Sequence, residues 1–354
     1  MSGLDESGAV PGLSLRRAWP RSGEHLLLDL VRPTGVAVAA QWFAEPGRAA
    51  AVARRTGSGA SAVGRVVLQP DGADRRLHSL ASLVARPGAA LVAHRPERRA
   101  VVRLADGAYA KVVRPERTTE VARAATTAAA TGLRVPRVLD VDPAAGVVTT
   151  SALPGRTLHD LLRTGSADVL PTAREVGRVL AALHASPLAP GAVVHDAAAE
   201  QRVLDRWTGL AAAHGAGAAV APVDGLGAGP GPLVPVHRDL HDKQLLVDED
   251  GSVGLLDFDL AAAGEAALDL ANLLVHLELR AQQGLCRPEL ARAAADAVLA
   301  GYLPGPDVRR RLAAYDEAAR RRLVAVYAFR PASGAAARRL LSEPTRCASW
   351  PAWT

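Results

Sequence analysis

Cysteine is almost absent from this chain: among 354 residues only Cys286 and Cys347 carry a thiol. Two cysteines so far apart supply neither a disulfide framework nor the spacing of a zinc site. A reducing compartment is the simpler setting. Aromatic residues are scarce too, with five Trp, four Tyr and three Phe. None is interleaved with a basic patch, and no nucleic-acid-binding motif accompanies the arginines. No uninterrupted apolar run reaches the ~18 residues of a membrane helix. The opening MSGLDESGAV lacks both the basic and the apolar stretch of an export signal. The expectation is a cytoplasmic protein with no nucleic-acid and no membrane partner. Lysine is nearly missing as well. Of 42 Lys and Arg side chains, only Lys111 and Lys243 are lysine, so a lysine in a strand calls for a reason.

What is present bounds the class. The length suits two to three compact units, and 49% hydrophobic residues allow a sizeable core. The formal charge of +6 suits an anionic ligand such as a nucleotide. No internal repeat is evident.

The chemistry concentrates in VHRDLHDKQLLVDEDGSVGLLDFDLAAAGEAALDLANLL, from Val236 to Leu274. His237, Arg238 and Asp239 open it, Gln244 follows, and Asp257 comes after an apolar run. Leu245 to Val247 reads as a strand, Asp248-Glu249-Asp250-Gly251 as a turn, and Val253 to Leu256 as the returning strand. That hairpin brings Gln244 and Asp257 together at one end. Both offer the oxygen ligands that magnesium prefers. An acid on a tight loop, an amide five residues on and a second acid after a strand suit phosphoryl transfer from ATP.

These residues resemble the catalytic core of the aminoglycoside phosphotransferase and choline kinase-like superfamily. The resemblance implies an α+β, two-lobed protein-kinase-like fold with a small β-rich lobe and a large helical lobe. It also implies ATP, Mg2+ and a small-molecule hydroxyl acceptor. By that likeness Asp239 is the catalytic aspartate, Asp257 binds metal, and Asp269 in LDLANLL braces the catalytic loop. Gln244 stands where the superfamily usually has asparagine, as in the HxDxHxxQ loop of maltokinases. Asp257-Phe258-Asp259 departs from the kinase DFG and is similar to the DFE of the sugar kinases.

A kinase needs a lysine on the phosphates, and AYAKVV places Lys111 mid-strand. Its expected partner is Glu120, near the start of an alanine-rich helix over 118–131, with Glu116 the alternative. The strands 91–94 and 100–104 flank a tip without GxGxxG. There Arg95, Arg98 and Arg99 could bind phosphate as planar forks, or form a plain solvated tip. The Pro-Gly turn after strand 146–150 resembles the family's hinge, so the backbone near Ser151 and Leu153 is expected to meet adenine. His184, on a regular apolar helix pattern, reads as structural.

The chain divides into residues 1–85, 86–150 and 151–354. The first is a strand-rich cap or small-lobe extension with no visible chemistry, the second the small lobe, the third the helical large lobe. Ala211 to Pro235, rich in Gly, Ala and Pro, reads as a mobile loop. Asp242, Asp259 and Glu265 are the acids available to attract an aminoglycoside. Tyr302, Tyr315, Asp316, Glu317 and Tyr327 read as core or solvated surface. The expected function is ATP-dependent phosphorylation of a hydroxyl on a sugar, aminosugar or aminoglycoside-like compound. A catalytically inactive kinase-like binding protein is the alternative. A protein kinase is disfavoured because Asp269 follows Asp257 too closely for an activation loop.

Overall fold

The computed structural model describes residues 10–216, 223–224, 226 and 231–342. Most of the opening segment, much of the Ala211–Pro235 stretch and Cys347 lie outside the described residues.

The first sheet contains β1 (Ser14–Ser22), β2 (His25–Val31), β3 (Ala37–Phe43), β4 (Ser61–Val63) and β5 (Val66–Gln69) in the order β1-β2-β3-β5-β4. Helix α1 (Arg48–Thr56) sits between β3 and β4. Successive strand residues point to opposite faces. Leu26, Leu28, Val38, Ala40 and Trp42 therefore share one face, packed on Ala211, Ala325 and Phe329 of the large lobe. On the other side Phe43 and Val67 receive Ala49, Val52 and Ala53 of α1. The strand-rich N-terminal segment thus has a sheet of its own.

The second sheet contains β6 (Ala90–Arg95), β7 (Arg99–Arg103), β8 (Tyr109–Val113), β9 (Val138–Asp142) and β10 (Val147–Thr150), ordered β6-β7-β8-β10-β9. Ala100, Val102, Ala110, Val112 and Val147 bury one face together with Leu77 and with Leu80 and Leu83 of α2 (Leu80–Val84). By the same alternation Lys111 points the other way, beside its cross-strand neighbours Val101 and Val148. That face looks into the cleft between the lobes. Helix α3 (Thr118–Ala130) closes it through Val121 and Ala128.

The large lobe holds α4 (Leu158–Thr164), α5 (Val169–Ala185), α6 (Ala197–Ala213), α7 (Ala266–Gln282), α8 (Pro288–Tyr302), α9 (Pro306–Tyr327) and α10 (Gly334–Arg339). Short strands β11 (Arg156–Thr157), β14 (Leu245–Val247) and β15 (Val253–Leu255) form one sheet. Strands β12 (Val194–His195), β13 (Val234–Val236) and β16 (Ala262–Gly264) form another. Every residue of α7 from Ala266 to Arg280 is buried, as expected of a helix surrounded by others. The crossing between the lobes needs a glycine. Gly155 has φ +121°, and a Cβ there would lie 2.3 Å from the Val247 carbonyl oxygen. A side chain would push the crossing segment off the hairpin that carries the site.

Candidate active site

The loop between β13 and β14 carries His237, Asp239 and Gln244, and α7 dictates its shape. Asp269, Asn272, His276 and Arg280 recur on one face of that helix. Asp269, fully buried, accepts from the backbone amides of His237 at 2.6 Å and Arg238 at 2.7 Å. The Asn272 amide donates to the Leu240 carbonyl at 2.9 Å. The His276 ring centre lies 5.1 Å from that of His241. Arg280 grips both oxygens of Asp242 at 2.6 and 2.8 Å. Burial opposes ionisation of Asp269, but the His184 hydrogen bond, His184 and His237 charge and the His237 amide hold its pKa below the usual carboxylate range. His184 spans Asp269 and the Tyr302 hydroxyl, which makes it structural. Of the helix stripe, only Asp269 was visible in the sequence. The signal for the rest was present: polar residues at helical spacing within an otherwise apolar segment.

With the loop braced, Arg238 takes a left-handed φ of 70°. This strained conformation precedes Asp239, which is half-buried. The Asp239 carboxylate accepts no hydrogen bond among the described residues. The expected hairpin is present, with Leu245 opposite Leu255. One further bond, Leu256 amide to Gln244 carbonyl at 2.9 Å, aligns Gln244 with the strand end that leads to Asp257. The Gln244 side-chain oxygen is buried without a hydrogen-bond partner. Asp257 also has a left-handed φ, 63°. His237 ties the two segments together, through a ring nitrogen 2.7 Å from the Leu256 carbonyl oxygen and a ring centre 4.8 Å from that of Phe258.

Lys111 reaches this point from the small lobe. Its ammonium donates to Asp257 at 3.0 Å and to Asp259 at 2.6 Å. Arg99 lies beside the same two acids, at 3.6 Å from Asp257 and 2.9 Å from Asp259. Burial opposes the charged form of Asp257, but Lys111 and Arg99 hold its pKa well below the usual range. Burial likewise opposes the charge on Lys111, and Asp257 and Asp259 raise its pKa above that of an ordinary lysine.

The expected Lys111–Glu120 pair is not formed. Glu120 is exposed and pairs with Arg117 at 2.6 Å, because it lies off the buried stripe Thr118, Val121 and Ala128 of α3. Glu116 pairs with Arg114 at 3.3 Å. The acids that hold Lys111 come instead from Asp257-Phe258-Asp259. The three acids expected to attract an aminoglycoside are engaged elsewhere. Asp242 is buried between Arg280 and His159, Asp259 holds Lys111 and Arg99, and Glu265 pairs with Arg311 at 3.1 Å. Tyr315 and Tyr327 are buried, Asp316 pairs with Arg320, and Glu317 pairs with Arg321.

A cavity of about 440 Å³ opens above these groups, lined among others by Lys111, Arg99, Asp257, Ser151 and Leu153. The Ser151 amide is taken by the Arg137 carbonyl at 2.8 Å. The Leu153 amide makes no hydrogen bond among the described residues.

A sequence model of the phosphotransferase enzyme family (APH) matches residues 89–326. The chain belongs to the phosphotransferase enzyme family. Among solved structures it is similar to an aminoglycoside phosphotransferase, APH(3'')-Id, from Streptomyces rimosus. That match has 21% identity and a TM-score of 0.50, covering 69% of this chain and 96% of the other. It is also similar to a choline/ethanolamine kinase family protein from Mesorhizobium loti, at 18% identity and TM-score 0.50, covering 75% and 94% of the two chains. At such identities the likeness shows the fold, which is the expected two-lobed, protein-kinase-like α+β architecture. No curated protein matches the chain in sequence.

The oxygen donors in this phosphotransferase fit a hard cation. Gln244 offers a buried oxygen with no protein partner, and Asp257 offers a carboxylate at the same end of the hairpin. Among the described residues no group of three His, Cys, Asp or Glu forms a ready cage. No helix among the described residues is long and apolar enough to cross a membrane.

Proposed function

We propose that this phosphotransferase moves the terminal phosphoryl group of ATP to a hydroxyl of a small molecule. Sugars, aminosugars and aminoglycoside-like compounds are the first acceptors to consider. The observation that carries the reading is the meeting of Lys111 from the small lobe with Asp257 from the large lobe at one cavity, with Gln244 aligned on the strand end that leads to Asp257. In this reading the acceptor hydroxyl donates to the Asp239 carboxylate, which has no competing donor. The hydroxyl oxygen forms a bond to the terminal phosphorus. The bond from that phosphorus to the ADP oxygen breaks, and the hydroxyl proton passes to Asp239. Lys111 places a compact positive charge on the donor phosphates, which must draw it from Asp257 and Asp259. Gln244 and Asp257 would hold Mg2+, which neutralises phosphate charge when bound. The backbone at Leu153, with Ser151 beside it, would meet the adenine.

With Asp242, Asp259 and Glu265 engaged in ion pairs, a neutral or weakly charged sugar suits the cleft better than a polycation. The reading places the enzyme in the cytoplasm, where ATP is available. An acceptor screen tests it: ADP release measured over hexoses, hexosamines, maltose, choline and aminoglycosides. The reading expects release that depends on one class of hydroxyl compound. MgATP binding with no turnover on any acceptor would favour an inactive binding protein instead.

A further inference from the structure

The family match begins at residue 89, so the N-terminal sheet lies outside it, and its sequence carries no chemical motif. One of its side chains nevertheless lines the donor cavity. Arg17 on β1 shares that wall with Arg95, Arg99 and Lys111. Strand alternation explains its direction. Ala18 is buried in the cluster with Phe329, and its amide bonds the Phe329 carbonyl at 2.8 Å. Arg17 and Trp19 therefore project from the opposite face. The Arg17 guanidinium carbon lies 4.3 Å from the Trp19 ring centre, and that of Arg95 lies 4.5 Å from the same ring. One arginine comes from each sheet, and the indole touches both.

The hydrogen-bonding of these arginines is unfinished. Arg16 occupies both oxygens of Asp29, at 2.8 and 2.9 Å. Arg17 reaches Asp29 through Nε alone, at 3.1 Å. Its two terminal nitrogens, and all three side-chain nitrogens of Arg95, meet no acceptor among the described residues. A guanidinium presents five N–H donors in a planar fork that matches phosphate. Burial, then Arg99 and Arg17, push the Arg95 pKa down to about 9, while Asp239 and Asp257 pull the other way. Geometry places Arg95 in the same cavity wall as Arg99, which lies 3.6 Å from Asp257.

The hairpin bearing Arg95 is itself fastened to the N-terminal segment. Glu97, at its tip with φ 60°, receives Arg75 at 2.6 and 2.9 Å and Gln41 of β3 at 3.4 Å. Asp74 accepts from the Glu97 amide at 2.6 Å and lies 2.9 Å from a His94 ring nitrogen. A tip without glycine is thus held in place by side chains.

We propose that the N-terminal sheet completes the donor-phosphate site. Arg17 and Arg95, aligned by Trp19, grip the terminal phosphate of ATP in place of the backbone amides of a glycine-rich loop. This rests on the ATP reading above. The test is calorimetric titration of the full chain with MgATP, MgADP and inorganic tripolyphosphate, comparing wild type with Arg17→Ala, Arg17→Lys and Arg95→Ala. Arg17→Ala and Arg95→Ala should each weaken MgATP and tripolyphosphate about tenfold, the scale of one lost charge-assisted contact. MgADP should weaken less, so the preference for ATP over ADP shrinks. Arg17→Lys should recover only part, because an ammonium lacks the planar fork, and it carries the comparison if Arg17→Ala does not fold. MgATP should also change the tryptophan fluorescence of wild type and not of Trp19→Phe. If wild type binds MgATP and the folded Arg17 and Arg95 variants bind it equally well, this proposal is overturned and the ATP reading stands. If wild type does not bind MgATP, both fall.

Discussion

The floor of the cleft takes its shape from one buried helix, whereas its cationic wall is assembled from three stretches of chain. On the floor, α7 meets the loop that carries Asp239 residue by residue, and the helix's own buried polar side chains have partners there: Asp269 with two amides, Asn272 with Leu240, Arg280 with Asp242. In the wall, Lys111, Arg99, Arg95 and Arg17 gather from two sheets, and the last two keep donors without acceptors. A satisfied buried network fixes one geometry. A cluster of like charges with spare donors is built to receive an anion. On the proposed function, the difference separates positioning of Asp239 from capture of the donor.

The largest effect should come from the acid that the floor positions. Asp239→Asn should lower turnover about 10²–10⁴-fold, the range for a lost general base, with MgATP affinity nearly unchanged. Steady-state ADP release and titration calorimetry would check the two halves.

Breaking the floor itself should cost fold stability. Arg280→Ala leaves Asp242 buried without its cation, and loss of one buried partner costs about 3–5 kcal/mol. Urea unfolding would read it. The same network sets the acid limit. Asp242 and Asp269 both have folded pKa values below those of the unfolded chain. Their contribution is complete above an unfolded pKa of about 3.9 and is lost as pH falls through the folded values. Unfolding free energy should be flat in this respect near neutrality and decline below about pH 4. Asp269→Asn should flatten part of that decline.

At the boundary between floor and wall, Asp257→Ala should weaken magnesium-dependent nucleotide binding on the order of a hundredfold. Gln244→Ala should do so by roughly tenfold, since an amide is neutral and a carboxylate charged. Equal losses in a magnesium titration would show that the two ligands are not ranked by charge. The smallest effect should come from Glu97→Gln, which keeps the tip but weakens its hold on Arg75. A few-fold loss of MgATP affinity is expected, the scale of a partly exposed ion pair.

The same contrast decides what could be read in the sequence. The hairpin and its two oxygen donors lie close together in the chain, so spacing alone put Gln244 and Asp257 at one end. Asp269 was legible because the superfamily motif includes it. Asn272, His276 and Arg280 belong to the same helix face but have no partner visible until the loop is folded against them. The β-strand pattern located Lys111 and not what holds it. Asp259 replaced Glu120 because α3 turns Glu120 to solvent, a rotation that helical propensity does not determine. Arg17 was illegible: its role depends on a contact between two sheets that no local pattern encodes.

The central claim is that Asp239 works on an acceptor hydroxyl with ATP as the donor. Phosphorus NMR of the chain with MgATP and the acceptor found by the screen tests it most directly. A new phosphomonoester signal should grow in step with ADP for wild type, and neither should grow for Asp239→Asn. ADP appearing with free inorganic phosphate alone, or an undiminished ester signal from Asp239→Asn, would contradict the account.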